Sequence, residues 1–293
     1  MKLGLVLTVF TADPAKPRAS AGRAAAAGYD AVFASDHLFP PGAPDRPSLE
    51  PYTLLAAIGA ENPSLGVGVL VTRAGFRPVG MLAKQAAALD QVAGGGAVLG
   101  LGVGDANGRA EHAALGLDYP PFPERLALLE ETVLALRALF GGRPWQGGRL
   151  VPPLAGPLLP PGSPPVWVGG TKDASIGVAA RAADGWNAWG LDADTFEARA
   201  AELTRLAAGA GRDPAEVPPT WGGIMLVGRD DSELATLEAE RAGRGLGMDI
   251  WRGTVDDLRR FRDRVQGVGS TWLVAVAAGP ADRSELLATT LRA

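Results

Sequence analysis

The sequence predicts an α/β protein, a (β/α)8 TIM barrel with a loop insertion before strand 5. Short apolar runs of strand length alternate with alanine-rich stretches of helical periodicity. Strands that alternate with helices form a parallel sheet that is buried on both faces. Eight such strands and eight such helices within 293 residues, 47% of them hydrophobic, fit a barrel, and we expect residues 1–293 to form a single domain.

The predicted elements follow each other in regular order. The strands are Leu3–Val9, Ala31–Ser35, Leu65–Val71, Ala97–Gly102, Val166–Val168, Gly185–Ala188, Gly222–Val227 and Trp272–Val276. The helices lie near residues 19–28, 50–60, 78–92, 122–140, 174–183, 194–209, 231–243 and 280–291. A further helix is predicted over Thr254–Val265, and residues 141–165, rich in Gly and Pro, form the insertion.

Helix-capping residues support these boundaries. Asp194 with Glu197, and Thr254 with Asp257, have the spacing of capping boxes. Pro280 suits the first position of the last helix.

Composition excludes several classes of protein. The net charge is −4 and no basic stripe indicates nucleic-acid binding. No apolar run is long enough to span a bilayer, and the amino-terminal segment resembles a first strand rather than a signal peptide, so we expect a cytoplasmic protein. There is no cysteine and there are two histidines, which makes a metal site improbable. The glycine-rich stretch "LGLGVGDANG" lacks the G-x-G-x-x-G spacing of a nicotinamide-dinucleotide fold.

The ends of the predicted strands carry the candidate functional residues, because active sites of such barrels lie at the carboxyl rim. Asp36 and His37 follow the second strand, and His37 can exchange a proton near neutral pH. The alternative is that this pair only caps the following loop. His112, between apolar residues of a helical stretch, is interpreted as a packing or surface histidine.

Three other strand ends are informative. Gly169, Gly170 and Thr171 precede a predicted helix, an arrangement that favours phosphate binding, although a plain tight turn fits equally well. Arg73 and Arg77, after the third strand, either hold an anion or are surface charges. The glycines before Asp105 and Asn107 leave room for a flat ring, or else allow close strand–helix packing. Most of the seven tryptophans are expected in the core.

Four segments together resemble the luciferase-like flavin monooxygenases, and within them the branch that depends on the deazaflavin F420. They are "AAAAGYDAVFASDHL", "LGVGVLVTRAGFRPVGMLAKQAAALDQVAGGGAVLGLGVG", "EHAALGLDYPPFPERLALLEETVLALRALF" and "PPVWVGGTKDASIGVAARAADGWN". The resemblance covers most of residues 1–190. It departs from the family pattern at "AGGG", where Gly96 stands in place of an arginine, and at Asp105, where Trp or Glu is commoner.

The resemblance implies particular roles. His37 would serve in proton transfer at the ring, and Asp105 falls where some members carry a catalytic glutamate. A non-prolyl cis peptide at or near Val69–Leu70 would support the ring, and the turn at Gly169–Thr171 would take the cofactor phosphate. The complete set of expected cofactor-binding residues is Asp36, Val69, Leu70, Val71, Thr72, Gly104, Asn107, Val168, Gly169, Gly170 and Thr171.

Three functional hypotheses follow. The first is an F420-dependent oxidoreductase that transfers a hydride between the deazaflavin and a small organic substrate. The second is an FMN-dependent monooxygenase that uses oxygen and a partner flavin reductase. The third is a flavin-binding barrel without catalysis. The resemblance also implies a homodimer, and it favours the insertion and the carboxy-terminal third as walls of the substrate pocket.

Overall fold

The computed structural model describes residues 1–293, and all of its strands lie in one parallel sheet. The strands are β1 (Lys2–Leu7), β2 (Ala31–Ala34), β3 (Gly66–Arg73), β4 (Ala97–Gly102), β5 (Val166–Gly169), β6 (Gly185–Trp189), β7 (Pro219–Gly228), β8 (Trp251–Thr254) and β9 (Trp272–Ala278). The helices are α1 (Ala15–Ala26), α2 (Pro51–Glu61), α3 (Val79–Val92), α4 (Gly108–Ala114), α5 (Phe122–Phe140), α6 (Asp173–Ala182), α7 (Ala193–Gly209), α8 (Asp231–Gly243), α9 (Val255–Gly267) and α10 (Arg283–Arg292).

Eight of the strands close into a barrel. Strands β1 to β7 pair in chain order, β7 pairs with β9, and β9 pairs with β1. The predicted barrel is therefore confirmed. The ninth strand, β8, was not predicted; it pairs only with the Met225–Gly228 end of β7 and lies outside the ring.

Glycines on the inner face of the barrel make room for large aromatic side chains. The Phe33 ring occupies the space in front of Gly4 and Gly68. A Cβ atom on either glycine would lie only 2.6 Å from this ring, so a larger residue does not fit there. Trp167 stacks on Phe33 at a ring-centroid distance of 5.9 Å, and Trp272 contacts the same ring edge-on at 5.7 Å. Aromatic side chains thus fill the interior of the barrel at the level of Phe33.

The apolar core lies mainly between the barrel and its helices. The largest buried cluster combines outward-facing strand residues such as Val32 and Val69 with helix residues such as Leu55 and Leu136. No helix of the chain is long and apolar enough to cross a bilayer. The single-domain organisation stays a prediction.

The insertion 141–165 packs along the outside of α3. Leu154 lies 3.6 Å from the position of a Cβ on Gly80 near the start of this helix, and Gln91 near its end donates a hydrogen bond to the carbonyl of Pro161. Glu131 of α5 accepts hydrogen bonds from the amides of residues 149–151 at 2.8 to 3.0 Å, which holds the turn of the insertion in place.

Three of the predicted helix starts were wrong. Helix α1 begins at Ala15, four residues before the predicted start near residue 19. Helix α7 is capped by Asp192, whose carboxylate accepts from the amide of Thr195 at 2.9 Å, so Asp194 and Glu197 form no capping box. Helix α10 begins three residues after Pro280.

The remaining capping prediction was right. Thr254 and Asp257 form a complete capping box at the start of α9.

Candidate functional site

The mouth of the barrel contains a cluster of three side chains from separate elements. His37 follows β2, Arg73 ends β3, and Glu111 lies on α4. The Nδ1 atom of His37 lies 2.9 Å from Oε1 of Glu111 and 3.0 Å from Nη2 of Arg73. Arg73 also donates to the other carboxylate oxygen of Glu111. These contacts fix the orientation of the imidazole.

The charges of this cluster are buried and balanced. Glu111 has no exposed side-chain surface, Arg73 has 5%, and His37 has 24%. A buried carboxylate is stable only when it is paired, and Arg73 supplies the compensating charge. With Glu111 accepting a proton-bearing Nδ1, the lone pair of His37 is on Nε2. The Nε2 atom has no hydrogen-bond partner within the protein, and the side chain that carries it is 24% exposed, so this nitrogen is available to a ligand.

Asp36 points away from His37 into a second network. Its carboxylate accepts a hydrogen bond from the hydroxyl of Thr72 at 2.9 Å and pairs with Arg77. Tyr52 donates to the Thr72 hydroxyl at 2.7 Å, and burial, together with the charge of Asp36, raises the pKa of Tyr52 far above its ordinary value. Asp36 and His37 therefore act separately, as expected from their alternation along an extended chain.

Both arginines after β3 are used within the protein. Arg77 also pairs with Glu50 at 2.9 Å and lies over the Tyr52 ring. Arg73 is buried rather than a surface charge, and its guanidinium is taken up by Glu111 and His37. Neither guanidinium is free to bind an external anion.

Strand β3 forms a bulge at the centre of the mouth. Its register against β4 shifts between Val69 and Thr72, and the peptide bond between Leu70 and Val71 is cis, one bond beyond the predicted position. The Val71 side chain fills the space in front of Gly102 and Gly169. A Cβ atom would lie 2.7 Å from this side chain if placed on Gly102 and 2.9 Å from it if placed on Gly169. Val71 thus forms the floor of the mouth.

The end of β4 is shaped by Asp105 and its loop. The exposed carboxylate of Asp105 accepts hydrogen bonds from the amides of Asn107 at 3.0 Å and Gly108 at 3.3 Å. This local turn starts α4, the helix that carries Glu111. Gly104 has φ +80 and faces the Tyr119 hydroxyl, which donates to the Asp105 carbonyl.

The turn after β5 exposes main-chain donors. Gly170 has φ +129, a conformation that favours glycine, and its carbonyl accepts from Nε1 of Trp186 at 2.7 Å. The amides of residues 171–174, at the start of α6, have no hydrogen-bond partner, and no side chain caps this helix. Unpartnered amides at a helix start attract anions. The turn therefore has the donors that a phosphate requires.

The expected site residues divide into two groups. The side chains of Val69 and Val168 lie in the core outside the barrel, and Leu70 lies in the cluster inside it, so the first two positions offer only main-chain atoms to the mouth. The other expected residues lie at the strand ends around the mouth. They are Asp36, His37, Val71, Thr72, Gly104, Asp105, Asn107, Gly169, Gly170 and Thr171.

Glu111 was missed by the sequence reasoning. A glutamate on a short helical stretch is ordinarily a solvated residue, and the helical stretch that became α4 was noted only for His112. The only signal was its position beside His112, which is buried against Phe76 and Tyr119 at ring-centroid distances of 4.8 Å, as a packing histidine should be. No group of three His, Asp or Glu residues is arranged to hold a metal ion.

Two other cavities lie at the opposite end of the barrel. One, of about 470 Å³, lies below Trp167 and Trp272, and the other, of about 290 Å³, lies between β1 and α9. Neither includes a residue of the carboxyl rim. We place the candidate site at the rim, because the titratable cluster and the free amides are there.

Comparison with solved structures supports the fold. The chain superposes on an F420-dependent secondary alcohol dehydrogenase in complex with an F420-acetone adduct with a TM-score of 0.82, 16% identity and coverage of 100% of this chain and 99% of that one. It superposes on the EDTA monooxygenase of Chelativorans sp. BNC1 with a TM-score of 0.82, 21% identity and coverage of 99% and 92%. At these identities the likeness shows the fold alone.

Comparison by sequence gives relatives and a family. The phthiodiolone/phenolphthiodiolone dimycocerosates ketoreductase of Mycobacterium tuberculosis is 32% identical over 215 residues, which are 69% of this chain and 55% of that protein. The chain thus spans about half the length of the curated relatives it matches. The family model described as luciferase-like monooxygenase matches residues 1–287. The protein therefore belongs to the luciferase-like monooxygenase family, and the predicted family is confirmed.

Proposed function

We propose that the protein is an F420-dependent oxidoreductase that interconverts a ketone and a secondary alcohol. The observation that carries the proposal is the partly exposed imidazole of His37, whose Nδ1 donates a hydrogen bond to Glu111 and whose Nε2 is left without a partner. A histidine fixed in this way can remove or supply the hydroxyl proton that accompanies hydride transfer at the carbinol carbon.

The residues of the mouth fit a flavin-type cofactor. The Val71 side chain forms a floor, and the neighbouring residues Gly102 and Gly169 have no side chains that would compete with a ligand for space there. The free amides of residues 171–174 are suited to the cofactor phosphate. When bound, the deazaflavin ring supplies the site that accepts or donates the hydride.

The tasks of the protein in this reaction are orientation and proton transfer. With the cofactor as hydride acceptor, Nε2 of His37 would take up the hydroxyl proton when an alcohol is oxidised, and with the cofactor as hydride donor it would return a proton to the carbonyl oxygen when a ketone is reduced. Glu111 holds Nδ1 and stabilises the imidazolium that forms. The Asp105 carboxylate is committed to the turn that starts α4, so we propose that Asp105 positions this loop and takes no direct part in proton transfer.

The names of similar proteins support the substrate class. One structure with this fold is a secondary alcohol dehydrogenase dependent on F420, and the relative at 32% identity is a ketoreductase. Both act on the same pair of functional groups. A cytoplasmic location and a homodimer stay predictions.

A binding and turnover experiment tests the proposal. The purified protein is titrated with F420 and, separately, with FMN, and the change in cofactor fluorescence is followed. Secondary alcohols of increasing chain length are then added to the F420 complex, and loss of the oxidised deazaflavin absorbance is measured. Binding of FMN without binding of F420 would overturn the proposal in favour of a monooxygenase that needs a partner reductase.

A further inference from the structure

Three cationic side chains gather beside the free amides of α6. Arg125 lies over the ring of Tyr119 with a distance of 4.1 Å from its guanidinium carbon to the ring centroid, and Arg109 lies over the same ring at 5.6 Å. The ammonium of Lys172 lies 5.9 Å from the ring centroid of Phe122, as does the guanidinium of Arg125.

None of these three cations makes an ion pair, in contrast to most arginines of the protein. Nearby carboxylates are engaged elsewhere, since Asp173 pairs with Arg199 and Asp105 accepts from main-chain amides. Arg125 donates to the carbonyls of residues 103 and 120 at 3.1 and 2.6 Å, which neutralises no charge. The three cations are therefore free of ion pairs, and their summed charge of +3 exceeds the single negative charge that Asp105 contributes near Tyr119.

The aromatic base of this region is rigid. The Tyr119 hydroxyl donates to the Asp105 carbonyl, and a Cβ atom on Gly104 or Gly108 would lie 2.7 Å from that hydroxyl. Lys172 directly follows Thr171, whose amide is the first free donor of the β5 turn. The cationic surface therefore continues outward from the turn that is suited to a phosphate.

We propose that Arg109, Arg125 and Lys172 form a subsite for a carboxylate-rich cofactor tail that extends beyond the phosphate. The inference rests on the proposed function, because the side chain of F420 continues from its phosphodiester into a run of glutamyl residues, whereas FMN ends at its phosphate. Arg109 and Lys172 are exposed and can follow a flexible chain of carboxylates, while Arg125 is fixed.

Tail length and charge reversal together test the subsite. Dissociation constants are measured fluorometrically for F420 carrying one glutamyl residue and for F420 carrying several, at low and at high salt. The proteins are the wild type, Arg109→Glu and Lys172→Glu. Arg244→Glu serves as the control, because Arg244 is exposed, makes no ion pair and follows α8. Circular dichroism confirms that each variant is folded.

We expect the long-tailed cofactor to bind more tightly than the short-tailed one in the wild type and in the control. Each reversal at Arg109 or Lys172 should weaken long-tailed binding by about fivefold or more and remove most of its salt dependence. Equal binding of both cofactor forms by the wild type would overturn the subsite and leave the proposed function intact. Failure of both forms to bind would overturn the proposed function itself.

Discussion

The two sides of the barrel mouth are built from different kinds of groups. On the side of β2, β3 and α4, charged side chains are buried and paired, with Glu111 fully covered and Arg73 5% exposed. On the side of β4, β5 and α6, the donors are main-chain amides and exposed cations without carboxylate partners. The first side holds a proton-transfer group in one orientation, and the second is left unsatisfied until an anion binds.

This difference indicates how the site divides its work. A buried network keeps its geometry because breaking any pair leaves an uncompensated charge. Free amides and exposed cations attract an anion electrostatically, and they can bind it in a broader range of geometries. Substitutions on the first side should therefore change turnover or stability, and substitutions on the second should change cofactor affinity.

The largest expected effect is that of His37→Ala. Loss of a positioned acid–base group should lower kcat by about 100-fold or more. The affinity for F420 should change little, because Arg73 and Glu111 remain paired. Steady-state turnover with a secondary alcohol and a fluorometric titration measure the two quantities. An unchanged kcat would mean that another residue transfers the proton, and it would contradict the role assigned to the side of β2, β3 and α4.

The next effect is that of Glu111→Gln on stability. The substitution leaves Arg73 buried without a counter-charge, and we expect the free energy of unfolding to fall by about 3 kcal/mol. Urea denaturation followed by circular dichroism measures it. Glu202→Gln is the matched control, since Glu202 pairs with Arg205 on the surface and its loss should leave stability unchanged within error. Equal effects of the two substitutions would contradict the buried pair as described.

Substitution of the β5 turn should affect binding more than folding. In Gly170→Ala the Cβ would lie 2.9 Å from Oγ of Ser175 at a φ of +129, which strains the turn by about 1–3 kcal/mol and displaces its amides. We expect F420 affinity to fall about tenfold or more, a loss worth about 1.4 kcal/mol or more.

Gly142→Ala is the control for backbone strain. Gly142 has φ +69 with nothing within 4 Å of its Cβ position, so its substitution should cost about 1 kcal/mol of stability and leave cofactor affinity unchanged. Calorimetric titration of both variants separates the outcomes. Intact affinity in Gly170→Ala would remove the turn from the cofactor site.

The barrel was predictable because its signals are local. Strand β4 and helices α5 and α8 begin and end at the predicted residues, since apolar runs and helical periodicity are strong there. Strand β8 was missed because its residues, Trp251–Thr254, form no apolar run, and it pairs only with the projecting end of β7. The equally short β2 and β5 were predicted because their residues are mostly apolar and buried.

The site was predictable only in part, for a different reason. His37 and the β5 turn stand out because a polar residue or a glycine pair ends an apolar run. Glu111 acquires its role from Arg73, a residue 38 positions away, and from complete burial. Neither property is visible in the residues around it. Paired buried charges are a product of tertiary structure, so the side of the mouth built from side chains was less predictable than the side built from main chain.

The smallest expected effect is the contribution of His112 to the pH dependence of stability. Burial lowers the pKa of His112, so as pH falls through about 6.5 the unfolded chain takes up a proton that the folded one does not. Stability should therefore decrease below that pH, by no more than about 1.4 kcal/mol per pH unit from this residue. His112→Asn keeps a donor for the Asp118 carbonyl, which now accepts from Nδ1 at 2.9 Å, but cannot titrate. Urea denaturation of both proteins from neutral to mildly acid pH should show a smaller loss of unfolding free energy in the variant. Parallel pH profiles of the two proteins would contradict this prediction, because they would mean that His112 titrates alike in the folded and unfolded chain.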